Sequence, residues 1–162
     1  MKIYDCFMFY DEDLVIDLRL NILNEYVHKF VIVESKFTHS GKKRELLFDI
    51  NKYSKFKKKI NYIVLENEPV DLEIVHDNDT DDKKNSKYIM NALKRENFQR
   101  NEIKKGLTNA EPGDLILVSD VDEIPNLSNL DLNEINDNII LFKQNFYYYK
   151  FNLKLEDMPW LG

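Results

Sequence analysis

The sequence predicts an α/β fold, a mostly parallel sheet flanked by helices, in a single domain over residues 1–162. Two observations carry this. Short apolar runs at Ile3–Tyr10, Lys29–Glu34, Ile60–Leu65 and Leu115–Ser119 read as buried strands, because their apolar residues run on without alternation. Helical or polar stretches separate them, and strands alternating with helices close most simply as a parallel sheet covered by helices.

The elements follow in order. Ile3–Tyr10 is an aromatic-rich strand, and Asp11-Glu12-Asp13 supplies an N-cap and an acidic first turn. Leu14–Tyr26 reads as a helix with Val15, Leu18, Ile22, Leu23 and Tyr26 on its apolar face. After the strand at Lys29–Glu34 comes a polar loop, Ser35–Arg44, then an expected helix at Leu46–Lys59 ending in Lys55, Lys57, Lys58 and Lys59. Beyond the strand Ile60–Leu65, the segment Glu66–Lys84 is acidic and reads as a loop. Its Asp77-Asn78-Asp79-Thr80-Asp81 lacks the Gly and the distant Glu of an EF-hand, so a solvated loop is the better reading. Ser86–Leu107 is a long helix, and Pro112-Gly113 turns the chain into Leu115–Ser119. A short helix is expected at Asn133–Asp137, and a strand or hairpin at Ile139–Leu155 containing Phe146-Tyr147-Tyr148-Tyr149. That aromatic run reads as an alternating strand with half its rings in the core rather than as a sugar-stacking surface.

Composition removes several functions. The net charge of −6 argues against general nucleic-acid binding. Only 4 Gly are present, and none forms a Gly-rich phosphate loop. Cys6 is the single cysteine, so no internal disulfide can form. No apolar window approaches the roughly 20 residues that span a bilayer. Met1-Lys2-Ile3-Tyr4-Asp5 has no signal-peptide core, so a soluble, cytoplasmic protein is expected. His28, His39 and His76 lack metal-ligand spacing, and His39 in its polar loop is the one worth testing.

The most informative segment is Leu115-Ile116-Leu117-Val118-Ser119-Asp120-Val121-Asp122-Glu123-Ile124-Pro125, a buried strand that ends in three carboxylates. Asp120 and Asp122 are two apart and point the same way in extended backbone. Adjacent carboxylates repel unless they share a proton or a cation, and hard ions such as Mg²⁺ or Mn²⁺ suit them. At the carboxyl end of a strand in an α/β protein this is a candidate metal-diphosphate site. The competing reading is a solvated turn whose Asp side chains bond nearby amides.

Arginine is scarce in this chain, and two arginines stand on the long helix. The positions Ile89, Leu93, Glu96, Arg100, Ile103 and Leu107 share one face, apolar at its ends and ionic in its middle. A Glu96–Arg100 pair on a face expected to pack on the sheet costs desolvation, which favours a site role for Arg100 or Arg95 over an exposed ornamental pair.

Four segments then resemble glycosyltransferase family 17, in order and approximate spacing. They are Tyr4-Asp5-Cys6-Phe7, Phe30-Val31-Ile32-Val33-Glu34, Arg95-Glu96-Asn97-Phe98-Gln99-Arg100-Asn101 and Val118-Ser119-Asp120-Val121-Asp122-Glu123-Ile124-Pro125. The family includes the β-1,4-mannosyl-glycoprotein β-1,4-N-acetylglucosaminyltransferases. The resemblance implies a GT-A-like, Rossmann-like fold and an inverting transfer of a sugar, N-acetylglucosamine from UDP-GlcNAc, to a carbohydrate hydroxyl. It implies Mn²⁺ or Mg²⁺ held by Asp120 and Asp122, with Glu34, Arg95, Arg100 and Asp120 facing the nucleotide-sugar. Family chains usually continue past the Trp-x-Gly segment, here Trp160-Leu161-Gly162, so a member lacking the usual C-terminal continuation is expected. Donor binding is then better supported than turnover.

Two alternatives stay open. One is an inactive or split nucleotide-sugar-binding module. The other is an Asp-x-Asp phosphohydrolase of the haloacid dehalogenase type, which commonly has Thr where this chain has Ile124. No residue is assigned as the catalytic base; Glu123 is available beside the two aspartates.

Overall fold

The computed structural model describes residues 1–128, 130–131, 137–147 and 152–161, with the side chains of 157–159 left aside. The chain forms two compact units, Met1–Val121 and Asp122–Gly162.

The first unit is an α/β layer structure. Four strands, β1 (Ile3–Phe9), β2 (Lys29–Ser35), β3 (Ile60–Leu65) and β4 (Leu115–Val118), form a parallel sheet in the order β3-β2-β1-β4. The order reverses between β1 and β4, because β2 and β3 extend the sheet to one side of β1 and β4 adds to the other. Helix α1 (Asp13–Leu23) follows β1, and helix α2 (Asp81–Asn101) with a 3₁₀ turn at Glu102–Gly106 precedes β4. The sheet interior alternates by face. Tyr4, Cys6, Val31, Val33 and Leu65 cluster with Ile103, Phe98 and Leu107. Burial pushes the Cys6 thiol upward and leaves it an inert core residue.

The expected helix over Leu46–Lys59 is absent; the only helical turn there is a 3₁₀ segment, Ser54–Phe56. Three aromatics explain the difference. Phe48 stacks on Tyr53 with ring centroids 5.5 Å apart and meets Phe9 at 5.6 Å and Tyr62 at 4.8 Å. Phe56 packs edge-on against Phe30. Sheet contacts, not helical spacing, place these rings. The long helix starts earlier than expected because Thr80 caps it, accepting from the Lys83 N–H. Asp79 is not a solvated loop residue either; it is buried, accepts from the His76 N–H at 3.0 Å and pairs with Lys83 and Lys87.

Only part of each face suggested by the apolar spacing turns inward: Leu23 on the first, and Ile103 and Leu107 at the end of the second. On α1 the buried residues are Ile16, Arg19, Leu20 and Leu23, while Leu18 and Ile22 are exposed. On α2 the buried residues are Asn91 and Gln99, while Ile89 and Leu93 are exposed. The inner face of α2 is polar because it meets backbone. Asn91 exchanges two hydrogen bonds with Glu73 at 2.7 and 2.8 Å, and Gln99 donates to the Val33 carbonyl at 2.9 Å.

In the second unit, β5 (Lys143–Tyr147) and β6 (Lys154–Leu161) pair antiparallel. Phe146 stacks on Trp160 at 5.7 Å, and Tyr147 is exposed, in keeping with an alternating strand. Tyr148, Tyr149 and residues 133–136 of the expected short helix lie outside the described residues. Among the described residues no helix is long and apolar enough to cross a membrane.

Candidate functional site

In an open parallel sheet, ligands bind outside the carboxyl ends of the strands, where the strand order reverses. Here that point lies between β1 and β4, and the β4 ladder ends as Ser119 donates to the Cys6 carbonyl at 3.3 Å. The next residue is Asp120, whose side chain is 53% exposed. Arg100, near the end of α2, donates to its carboxylate at 3.1 Å and to Glu96 at 3.2 Å. Partial burial pulls the Arg100 guanidinium down, but Asp120 and Glu96 more than offset this and leave it raised. Asp122, also exposed, is where the second unit begins.

The other expected site residues stand elsewhere. Arg95 donates to Glu68 at 2.6 Å and to the His39 carbonyl at 3.2 Å. It lies against Gly41, whose φ of +88° favours glycine. Arg95 therefore joins the loops after β2 and β3. His39 meets Gln99 at 3.3 Å in the same corner.

Glu34 is bonded within the protein itself. It does end β2 at the carboxyl edge, but its carboxylate is fully buried. It accepts from the Leu47 N–H at 2.8 Å, the Phe48 N–H at 3.1 Å and the Tyr62 hydroxyl at 2.7 Å, and pairs with Arg44 at 2.9 Å. Desolvation is offset by these internal partners, through which Glu34 anchors the loop after β2.

Two arginines passed over in the sequence complete this edge. Arg44 donates to the Ser35 carbonyl at 3.0 Å and to the Tyr10 carbonyl, with its guanidinium 4.3 Å from the Tyr10 ring centre. Arg19 is fully buried against Asp5 and reaches the backbone of Asp120 and Val121. A charged residue inside the apolar run Ile3–Phe9 was the available signal, since a buried Asp demands a partner.

Among the described residues, no three His, Cys, Asp or Glu side chains converge as a ready-made metal site. An ion of the Mg²⁺ kind needs only one or two carboxylates and leaves its other positions to water and substrate phosphates. Asp120, exposed at the switch point, and Asp122, exposed two residues on, are suitable donors.

None of the curated proteins or solved structures compared with the chain matches it. The model of glycosyltransferase family 17 matches residues 1–162. With a parallel α/β sheet of the GT-A-like, Rossmann-like kind and a family match over its whole length, the chain belongs to glycosyltransferase family 17.

Proposed function

We propose that the chain transfers N-acetylglucosamine from UDP-GlcNAc to a carbohydrate hydroxyl with inversion, using Mn²⁺ or Mg²⁺ held by Asp120 and Asp122. The observation that best supports this is the position of Asp120, exposed just past β4 at the switch point and paired with Arg100. When bound, the cation would neutralise charge on the departing diphosphate as a Lewis acid. Arg100 has a fork of donors suited to a phosphate oxygen, and Glu96 one turn back holds that fork near Asp120. Arg95, committed to Glu68 and the His39 carbonyl, shapes the neighbouring loops and leaves the phosphate contact to Arg100.

The test is radiolabel transfer from a panel of nucleotide-sugars to mannose-containing acceptors, with Mn²⁺ or with chelator. Label should pass from UDP-GlcNAc to acceptor only with the metal. Release of free sugar regardless of acceptor would point to a hydrolase. Metal-dependent donor binding without transfer would point to a binding module. Preference for another donor would overturn the choice of sugar.

A further inference from the structure

Asp5 and Arg19 are both fully buried, and their pairing is bidentate: Nε donates to one carboxylate oxygen at 2.8 Å and Nη2 to the other at 2.7 Å. The rest of the fork reaches past the end of β4. Nη1 donates to the carbonyls of Asp120 at 2.7 Å and Val121 at 3.1 Å, and Nη2 also donates to the Ser119 hydroxyl at 2.7 Å. These bonds engage all three nitrogens of the guanidinium fork. The Phe7 ring packs 4.7 Å from the guanidinium carbon and fixes its plane.

A buried ion pair adds little stability over an apolar pair of the same volume. Its use must lie in what an apolar pair lacks, which is direction. Asp5, held in a central strand, orients the fork. The fork draws in three consecutive residues past the end of β4, the first of which, Ser119, still donates to the Cys6 carbonyl of β1. With both carbonyls turned to Arg19 and the Val121 side chain buried, the Asp120 carboxylate faces outward, half-exposed and paired with Arg100.

We propose that Asp5 and Arg19 are a positioning pair: they set the backbone of Ser119–Val121 so that the Asp120 carboxylate is presented to the cation and diphosphate of the donor. The proposal rests on Asp120 and Asp122 being cation ligands. It predicts that loss of the fork weakens metal-dependent donor binding in molecules that are still folded.

The variants are Arg19→Lys, which keeps the charge beside Asp5 but not the five-donor fork, the neutral pair Asp5→Asn/Arg19→Met, and Ser119→Ala, which removes one bond and buries no charge. Each is checked for native near-UV circular dichroism well below its melting temperature. Binding of Mn²⁺ is then read by electron paramagnetic resonance, and of UDP-GlcNAc with Mn²⁺ by calorimetry. Expected are a loss of about tenfold or more in donor affinity for Arg19→Lys and the neutral pair, a smaller loss for Ser119→Ala, and a changed bound-Mn²⁺ spectrum. A purely structural role lowers the melting temperature and leaves the affinity of folded molecules unchanged. Wild-type affinity and spectrum in any folded Arg19 variant overturn the proposal. If neither Arg19→Lys nor the neutral pair folds, wild-type affinity in Ser119→Ala overturns it. Asp122→Asn separates the two failures: if it abolishes Mn²⁺-dependent binding while the Arg19 variants do not, only the positioning role falls. If it has no effect, the cation assignment itself falls.

Discussion

Arg100 holds the Asp120 carboxylate at 3.1 Å, in a half-exposed ion pair that a divalent cation would have to share or displace. Such pairs are worth about 0.2–1 kcal/mol. Arg100→Gln should therefore tighten Mn²⁺ binding in the absence of nucleotide by roughly fivefold at most, and weaken UDP-GlcNAc binding in the presence of Mn²⁺. Paired calorimetric titrations check both signs, and a variant that loses Mn²⁺ affinity would show that Arg100 supports the cation rather than competing with it. Glu34 makes the opposite case. Removing a buried carboxylate that pairs with Arg44 should cost roughly 3–5 kcal/mol in urea unfolding of Glu34→Ala. A solvent-facing ligand contact would cost under about 0.5 kcal/mol.

The two helices show where apolar spacing stops being informative. α2 docks through Asn91, Arg95 and Gln99, whose partners are loop and strand backbone and the Glu68 carboxylate. A helix that covers polar backbone has a polar inner face, and hydrophobic periodicity selects the wrong side. α1 carries two apolar stripes: Ile16, Leu20 and Leu23 turn inward with Arg19, while Leu14, Leu18 and Ile22 stay exposed, and apolar spacing alone does not choose between them. The central strands β1 and β2 were legible because burial on both faces leaves continuous apolar runs, whereas the edge strands β3 and β4 are only partly buried. The Asp120 motif was legible because a carboxylate cluster at a strand end is chemically conspicuous. The Asp5–Arg19 link was not, since it joins residues 14 and about 100 positions apart through tertiary packing. Close packing also limits the turn after α2. A Cβ on Gly106 would overlap the Val31 side chain, so Gly106→Ala should destabilise by about 1–3 kcal/mol in urea unfolding. An unchanged midpoint would mean that β2 and this turn are less tightly packed.

Across the whole molecule, the four arginines converge on one edge of the sheet. Arg44 joins the ends of β1 and β2, Arg95 the loops after β2 and β3, and Arg19 and Arg100 the loop after β4. Elsewhere, carboxylates set the response to acid. A hydrogen bond from Lys87 holds Asp79 well below the usual carboxylate range; Lys52 lowers Asp13, and the Glu111 N–H lowers Asp114. Because their folded values lie below the unfolded value of about 3.9, they contribute stability above that pH and lose it as pH falls through the folded values. The urea midpoint should therefore hold near neutral pH and drop on strong acidification, and Asp79→Asn should shrink that drop. A midpoint that rises on acidification would contradict this. The proposed donor-diphosphate cation site at Asp120 and Asp122 is tested by calorimetric titration of UDP-GlcNAc with and without Mn²⁺. Wild type should bind only with Mn²⁺, and Asp120→Asn and Asp122→Asn should each abolish that binding. Equal binding by wild type and both variants, or binding indifferent to Mn²⁺, would contradict it.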